Sequence, residues 1–280
     1  MTTNTADITA IVLTKNEELT LARALESLSF CRRTIVVDSG STDRTVAVAE
    51  EKGADVYTHV QPPPFRIDAQ RNWALDSCAI RTQWVLFLDA DEVVTAALQD
   101  SLRKIATTPG EPHAAYELTP RYLFWGTWLK RTLGYPNWHP RLLRLGAARF
   151  AGGVWEHFDT QGHVGRIHEP YDHFANCKGM DDWIARHVRY ASWDAEMQCS
   201  LMTSGRAGNY GTVRKARLRA LAARLWRWRP LARFLYMYVY RLGFLDGMAA
   251  LHFCRRYFIY DTMFVQMVIE KQRAAKGLPL

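Results

Sequence analysis

The stretch WVLFLDADEVV, residues 84–94, joins an apolar run to three acids within four positions. Its apolar part has the length and composition of a buried strand. Asp89, Asp91 and Glu92 follow at the carboxyl end, where like charges repel one another and a stabilising core would not select them. Two carboxylates two residues apart at a strand exit can bind one hard divalent cation through oxygen. The stretch therefore predicts a cation site, and an acidic turn before a helix is the alternative.

Apolar strands alternate with helices through the first 110 residues. Strand-like segments occupy residues 8–14, 34–40, 54–60 and 84–92, and helical spacing separates them. This rhythm predicts a mostly parallel α/β sheet that is covered by helices on both faces. Ligands of such sheets bind beyond the carboxyl ends of the strands. We therefore expect three strand-end stretches to share one edge: KNEE (15–18), SGSTD (39–43) and DADE (89–92).

A second candidate site is VVDSGSTDRT, residues 36–45. Asp38 ends a strand as Asp89 does, and Ser39 and Gly40 follow it with exposed amides and a hydroxyl. A carboxylate in this position can accept hydrogen bonds from a nucleobase or ribose, and Gly40 allows close approach. An ordinary tight turn is the alternative for this stretch taken alone.

Composition limits the class of protein. The chain has 280 residues, of which 48% are hydrophobic, so it can form a large core without disulfides. Its five cysteines are dispersed and form no CxxC pair, which favours a reducing compartment over a zinc ribbon. There is no basic, apolar leader and no run of about 20 apolar residues. These features predict a cytoplasmic location.

Basic charge is concentrated near the carboxyl terminus. Residues 213–280 contain 14 Lys/Arg and three acids, within a chain of formal charge +8. The segment RKARLRALAARLWRWRPLARFLYMYVYRLGF (214–244) mixes Arg with aromatic residues at helical spacing. It predicts peripheral contact with an anionic membrane, and a homo-oligomer interface is the competing interpretation. Nucleic acid fits poorly, because the basic residues accompany bulky aliphatics and no recognisable binding module.

The ordered set TAIVLTKNEE, IVVDSGSTDRT, QRNWAL and LFLDADE resembles family 2 inverting glycosyltransferases of the GT-A fold. The later stretches YPNWHPRLLRLGAARFAGGVWEHF, YDHF and RFLYMYVYRLGFLDGMAAL are similar to the branch with bacterial lipopolysaccharide-core glucosyltransferases. The resemblance implies a GT-A catalytic domain over residues 1–180 and a basic helical extension over 181–280. Within the catalytic domain, residues 1–110 would bind the nucleotide-sugar and residues 111–180 would form the acceptor side.

The resemblance also implies roles for single residues. The first-strand loop would contact uridine, together with the strand-end aspartate and its turn, while an Arg-Asn pair would lie near the diphosphate and ribose. The DAD motif would hold Mn²⁺ or Mg²⁺ and the diphosphate, with Asp91 as the direct ligand. A later arginine would face the diphosphate or an anionic acceptor. The first-strand loop residues are Thr14, Asn16 and Glu17, and the strand-end aspartate with its turn is Asp38, Ser39 and Gly40. The Arg-Asn pair is Arg71 and Asn72. The DAD motif is Asp89, Ala90 and Asp91, and the later arginine is Arg141.

The general base and a third metal ligand are the less determined parts of the implied site. Inversion needs a carboxylate on the acceptor side, and Glu156 in GGVWEHF is the candidate. Asp181 and Asp182 are the alternative, although they also suit the start of a helix. His157 and His173 are candidates for the third ligand, and hydrogen-bonded core histidines are the alternative for both.

We therefore expect a metal-dependent hexosyltransferase. It would move a hexose, with glucose expected from the resemblance to this branch, from a UDP-sugar to a lipopolysaccharide-core or other lipid-linked acceptor at the cytoplasmic face of the inner membrane. Two other functions compete. FLDADEVV also fits the motif of haloacid-dehalogenase-like phosphatases, in which Asp89 would be the nucleophile. The third possibility is a non-catalytic, membrane-associated nucleotide-binding protein.

Overall fold

The computed structural model describes residues 5–63, 65–152, 156–204 and 225–280. Residues 214–224, the first part of the predicted basic amphipathic segment, lie outside these ranges, as does Trp155. The chain forms two compact units, Met1–Leu123 with Tyr135–Ala175 and Phe124–Gly134 with Asn176–Leu280. Residues 124–134 thus group with the carboxyl-terminal unit. The expected division at residue 180 stays a prediction.

The first four strands alternate with helices, as the sequence predicts. The first half contains β1 (Ala6–Thr14), α1 (Leu21–Glu26), β2 (Cys31–Asp38), α2 (Thr45–Glu51), β3 (Asp55–Thr58), α3 (Ile67–Ser77), β4 (Trp84–Asp89), β5 (Glu92–Val93), α4 (Ala96–Thr107) and β6 (His113–Phe124). The second half contains β7 (Thr127–Trp128), β8 (His139–Arg144), β9 (Arg149–Ala151), β10 (His157–Asp159), β11 (His163–His173), α5 (Gly179–Ser204), α6 (Arg229–Phe234) and α7 (Met248–Ala275).

The first unit is built on a sheet with strand order β3-β2-β1-β4-β8-β6-β11-β5. Strands β1, β2, β3 and β4 are parallel to one another. β8 runs antiparallel to both β4 and β6, and β11 returns parallel to β6. The predicted α/β sheet, with parallel strands β1 to β4, is confirmed; the nucleotide-binding role of residues 1–110 stays a prediction.

Burial on both faces explains why β1 and β4 lie at the centre. Val12 and Leu86 point into the core cluster that contains Leu98 of α4. Ile11 and Phe87 point to the opposite face, with Ala74 of α3. A strand covered on both faces needs the continuous apolar run seen in residues 84–88. The register places Thr14 opposite Asp38 and Leu13 opposite Asp89, so these strand ends share one edge.

The second unit is helical. Trp183 and Ala191 of α5 pack with Phe264 and Val268 of α7. Between α6 and α7 the chain forms a π-helical segment, Leu235–Tyr240, and a 3-10 turn, Gly243–Asp246. The helical extension predicted for residues 181–280 is therefore interrupted between α6 and α7. Within the described ranges, no helix is long and apolar enough to cross a membrane.

Candidate active site

Asp38 forms the turn at the end of β2. One carboxylate oxygen, Oδ1, accepts the Thr14 hydroxyl at 3.0 Å and the Ser41 hydroxyl, and Oδ2 accepts the N–H groups of Gly40 at 2.9 Å and Ser41 at 2.8 Å. These four donors match the roughly four lone-pair sites of a carboxylate. Gly40 has φ +83°, a conformation that favours glycine. In the structure, the Asp38 carboxylate holds the shape of the loop. Its direct contact with uridine stays a prediction, and such a contact would have to replace one of these four hydrogen bonds.

The loop after β1 is locked to the same turn. The Asn16 backbone N–H donates to the Ser41 hydroxyl at 2.8 Å, and the Asn16 side-chain oxygen, Oδ1, accepts the Thr42 N–H at 2.8 Å. The Glu17 N–H donates to the Thr45 hydroxyl at 2.7 Å. The stretches KNEE and SGSTD, 25 residues apart, therefore form one surface beyond the strand ends.

Ser39 lies where the turn meets β3 and α3. Its carbonyl accepts the Lys15 ammonium at 3.0 Å, and its hydroxyl accepts the Gln70 amide at 3.2 Å. Gln70 is fully buried and also donates to the His59 carbonyl at 3.0 Å. Lys15 was given no role by sequence reasoning, although it is the one cation in KNEE. Its exposed side chain adds positive charge beside the predicted nucleotide site.

Two buried arginines hold Asp89. Arg71 of α3 reaches Asp89 Oδ1 at 3.2 Å, and Arg141 of β8 reaches Oδ2 at 2.9 Å. Burial raises the pKa of Asp89, but Arg141 and Arg71 outweigh it and hold that pKa well below its usual range. Asp89 is therefore ionised, and each of its carboxylate oxygens contacts a guanidinium.

Asp91 meets His173. The Asp91 Oδ2 and His173 Nε2 atoms are 3.4 Å apart, and the Asp91 carbonyl accepts the N–H of Phe174 at 2.9 Å. Burial lowers the pKa of His173, but Asp91, then Glu92 and Asp89, raise it to about 9. Positive charge is thus favoured beside Asp91. Of the two histidine candidates, His173 is the one in this contact, whereas His157 lies on β10 opposite Ala151 with an exposed side chain.

Glu92 is a functional candidate that sequence reasoning missed. Its side chain is fully buried, accepts the Asp89 N–H at 2.9 Å and contacts Arg141 at 2.7 Å. Its Oε1 also lies 3.6 Å from His173 Nδ1. Glu92 thereby links the Asp89 backbone to the side chains of Arg141 and His173. The available signal was its position three residues after the apolar strand β4, beside Asp89 and Asp91. The acid alone did not indicate a role in the site.

Glu156 is tied to the same cluster through Arg71. Its Oε2 lies 2.9 Å from Arg71 Nη1, while Oε1 is buried and has no hydrogen-bond partner among the described residues. Burial raises the pKa of Glu156, and Arg71 and Arg141 oppose that rise without cancelling it. A carboxylate with one uncommitted oxygen and a raised pKa can accept a proton. The alternative bases, Asp181 and Asp182, lie in the first turn of α5, where Asp182 pairs with Arg186 at 2.6 Å.

Asn72 contacts the backbone of β9. Its amide donates to the Phe150 carbonyl at 2.8 Å, and its carbonyl oxygen accepts the Phe150 N–H at 3.0 Å. The Phe150 ring lies 5.1 Å from the Arg71 guanidinium carbon. Asn72 therefore fixes the strand that precedes Glu156, and its predicted contact with diphosphate or ribose stays a prediction.

A divalent cation fits this site only if the protein and the substrate diphosphate both supply its ligands. Among the described residues, no group of three or more His, Cys, Asp and Glu side chains is placed to hold a metal. Asp91 supplies a carboxylate, the adjacent His173 supplies a nitrogen donor only when its imidazole has lost its proton, and Ala90, which is buried, supplies none from its side chain. Mg²⁺ commonly binds through one or two carboxylates, with substrate phosphates and water completing its shell. The donor set suits an ion that arrives with a diphosphate.

The chain resembles several curated proteins. It is 40% identical over 116 residues to an uncharacterized glycosyltransferase of Rickettsia conorii, a match covering 41% of this chain and 39% of that protein. The chain thus spans about two fifths of the length of the curated relatives first matched. It is also 28% identical over 196 residues to the lipopolysaccharide core biosynthesis glycosyltransferase LpsC of Rhizobium meliloti, covering 68% of this chain and 71% of LpsC.

Solved structures and a family profile were also matched. Glucosyl-3-phosphoglycerate synthase of Mycobacterium tuberculosis is 18% identical with a TM-score of 0.45, over 73% of this chain and 82% of that chain. Residues 9–149, about half of the sequence, match the profile described as Glycosyl transferase family 2. This range contains the Asp38 turn, the DADE stretch and both arginines that hold Asp89. The chain belongs to glycosyl transferase family 2.

Proposed function

We propose that this chain is a metal-dependent inverting glycosyltransferase. It moves a hexose, glucose in our proposal, from a UDP-sugar to a lipopolysaccharide-core or other lipid-linked surface-glycan acceptor. The observation that carries the proposal is the shared sheet edge, at which the Asp38 turn and the acids of DADE end neighbouring strands. Similarity to LpsC supports the acceptor class.

Donor binding would use the two halves of this edge. The locked loops of Asn16 and Ser41 offer a preformed surface for uridine and ribose. Asp91 and His173 would hold the cation, which when bound neutralises charge on the departing diphosphate. Arg71 and Arg141 keep Asp89 ionised and fixed in place. Their positive charge offsets the repulsion among the acids of DADE. The side chains thus meet the ligand in a prearranged position.

Transfer would use Glu156 as the base. Its free oxygen, Oε1, takes the proton of the acceptor hydroxyl as that oxygen attacks C1 of the sugar. The new C1–O bond forms on the face opposite UDP, the bond from C1 to the diphosphate oxygen breaks, and the configuration at C1 inverts. Arg71 orients the carboxylate through Oε2. Asp181 and Asp182 are kept as the alternative bases.

The two competing functions have less support. A phosphatase nucleophile at Asp89 needs a free carboxylate oxygen, yet each oxygen contacts an arginine. Three strand–helix units also precede β4, and the family match covers this half of the chain. A non-catalytic protein would have no use for a buried carboxylate with one uncommitted oxygen beside the cation site.

The acceptor class also implies a location. We propose that the enzyme works at the cytoplasmic face of the inner membrane as a peripheral protein, with homo-oligomerisation as a compatible alternative. The basic charge of residues 213–280 supports this location, because the inner surface of such a membrane is anionic.

A turnover assay tests the reaction. Purified protein is incubated with a panel of UDP-hexoses, Mn²⁺ and lipopolysaccharide-core oligosaccharides, and released UDP and the product anomer are measured. We expect UDP release with UDP-glucose and a product of inverted anomeric configuration. A product that retains the donor configuration would contradict the mechanism. Release of inorganic phosphate from phosphomonoesters, without UDP release, would favour the phosphatase.

A further inference from the structure

An apolar face is exposed along α6 and the π-helical segment, and it includes Trp228, which immediately precedes α6. We call this face the outer stripe; its side chains recur every three or four residues along α6 and the π-helical segment, and they are Trp228, Leu231, Leu235, Tyr236, Val239 and Tyr240. Tyr240 is 79% exposed and Trp228 is 65% exposed. Exposed apolar side chains continue just beyond the stripe at Leu245 and Met248. A contiguous apolar surface of this kind marks an interaction site.

The charged side chains of the same segment face inward. Arg229 and Arg233 lie 2.8 Å and 3.0 Å from the two carboxylate oxygens of Asp261, which is fully buried on α7. Arg229 also contacts Asp194 of α5 at 2.8 Å. An ordinary surface helix turns apolar residues inward and charged residues to water. The outer stripe has the opposite arrangement, so its natural surroundings are apolar.

We propose that the outer stripe inserts into the boundary between headgroups and acyl chains of a bilayer. This inference deepens the membrane part of the proposed function. Trp228 and Tyr240 stand near the two ends of the stripe with Leu231, Leu235 and Val239 between them, as expected of a segment with aromatic anchors at the interface. α6 and the π-helical segment together have 12 residues, too few to span, so the segment lies in the plane of the membrane.

Charge favours a bilayer over a second copy of the chain. Residues 225–280 contain nine Lys/Arg and three acids, so two such surfaces repel each other, whereas an anionic bilayer attracts them. Arg227 is exposed next to Trp228 and can meet headgroups while the stripe inserts. The sequence predicted contact through a segment that mixes Arg with aromatic residues, and in its described part Arg229 and Arg233 are paired with Asp261. The apolar side chains therefore supply the insertion.

Vesicle co-sedimentation of the full chain tests the proposal. Wild type is compared with the double variant Leu235→Ser/Tyr240→Ser, on phosphatidylcholine vesicles with and without phosphatidylglycerol. The matched control is Leu145→Ser/Phe65→Ser, which removes two exposed apolar side chains from the first unit. We expect the stripe variant to lose about tenfold or more in partition coefficient, and the control to bind as wild type does. The loss should persist in high salt, which screens electrostatic attraction.

The contradicting results are separable from failure of the transferase proposal. Circular dichroism confirms that both variants fold, and the thermal shift caused by UDP reports on the first unit independently. A stripe variant that sediments as wild type does would overturn the proposal. If wild type is a dimer by light scattering, the stripe variant is a monomer and neither binds vesicles, then a second copy occupies the surface and the proposal is wrong.

Discussion

Each unit contains a carboxylate held between two arginines, and the two clusters differ in their access to solvent. In the first unit Arg71 and Arg141 hold Asp89, whose side chain is 37% exposed. In the second unit Arg229 and Arg233 hold Asp261, whose side chain is 0% exposed. Both clusters pair opposite charges at hydrogen-bonding distance. The pairing alone therefore does not distinguish a ligand site from a structural contact.

Exposure and neighbouring acids make the distinction. Asp89 stands beside Asp91 and is linked through Arg71 to Glu156, which has an uncommitted oxygen. Because the Asp89 side chain is partly open to solvent, a phosphate or sugar can approach this cluster without unfolding the unit. Asp261 has no such access, and its two arginines are turned away from the exposed face that we assign to a membrane. The first cluster is thus assigned to chemistry and the second to stability.

Removing the charge of Glu156 should give the largest effect on turnover. For Glu156→Gln we expect kcat to fall by about 10²- to 10⁴-fold, since a positioned general base is lost. Because burial raises the pKa of Glu156 above 4.5, wild-type kcat/KM should rise with pH through that raised pKa as the carboxylate loses its proton. A pH–rate profile of both proteins checks this. If the variant keeps the acidic limb, another group is the base.

Removing the charge of Asp261 should act on stability instead. Asp261→Asn leaves two arginines without their buried partner, and we expect a loss of about 3 kcal/mol in the free energy of unfolding. Activity per folded molecule with a soluble acceptor should be unchanged. Denaturant unfolding followed by circular dichroism measures the loss. A fully stable variant with lowered kcat would reverse the roles that we assign to the two clusters.

Glu92 is an intermediate case, buried like Asp261 but part of the first cluster. Glu92→Gln keeps a carbonyl oxygen for the Asp89 N–H but weakens the contact with Arg141. We expect a loss of about 1.5–3 kcal/mol in stability, because a buried hydrogen bond to a charged group is weakened, together with lowered turnover. Chemical unfolding and steady-state kinetics measure the two effects. A loss of stability without a loss of kcat would place Glu92 with Asp261 as a structural acid.

The smallest effect is expected at Asn72. Asn72→Ala removes both hydrogen bonds to Phe150 and should loosen β9, at a cost of about 1–2 kcal/mol in stability. If Asn72 positions Glu156, kcat falls while the affinity for UDP is kept. If Asn72 contacts the diphosphate or ribose, as the family resemblance implied, the affinity for UDP falls as well. Isothermal titration with UDP, alongside kinetics, separates the two roles.

The sequence predicted those parts of the site that depend on strand ends. Acids directly after apolar strands marked Asp38, Asp89 and Asp91, because parallel strands place their carboxyl ends at one edge. It did not predict that Arg71 contacts Glu156, 85 residues away, because that contact depends on how β9 and β10 return to α3. The choice of His173 over His157 beside Asp91 likewise follows from the pairing of β11 with β5.

The carboxyl-terminal region shows where periodicity fails. Helical spacing of Arg and aromatic residues over residues 214–244 predicted a segment in peripheral contact with an anionic membrane. Arg229 and Arg233 instead turn toward Asp261, about 30 residues later, and the π-helical segment alters the spacing on which a helical pattern rests. Composition predicted a surface in contact with a membrane, but only tertiary contacts show which side chains are exposed.

The most direct test of the central claim is the binding of UDP measured by thermal shift, with and without Mn²⁺, on wild type and Asp91→Asn. Asp91 is half-buried and pairs with His173, so the substitution removes the negative carboxylate that would bind the cation and keeps the size of the side chain. We predict that Mn²⁺ strengthens the rise in melting temperature caused by UDP in wild type, and that this Mn²⁺-dependent part is absent in the variant. A UDP shift that is the same in both proteins, or no shift with any divalent cation, would contradict the assignment of DADE to a cation that binds with UDP.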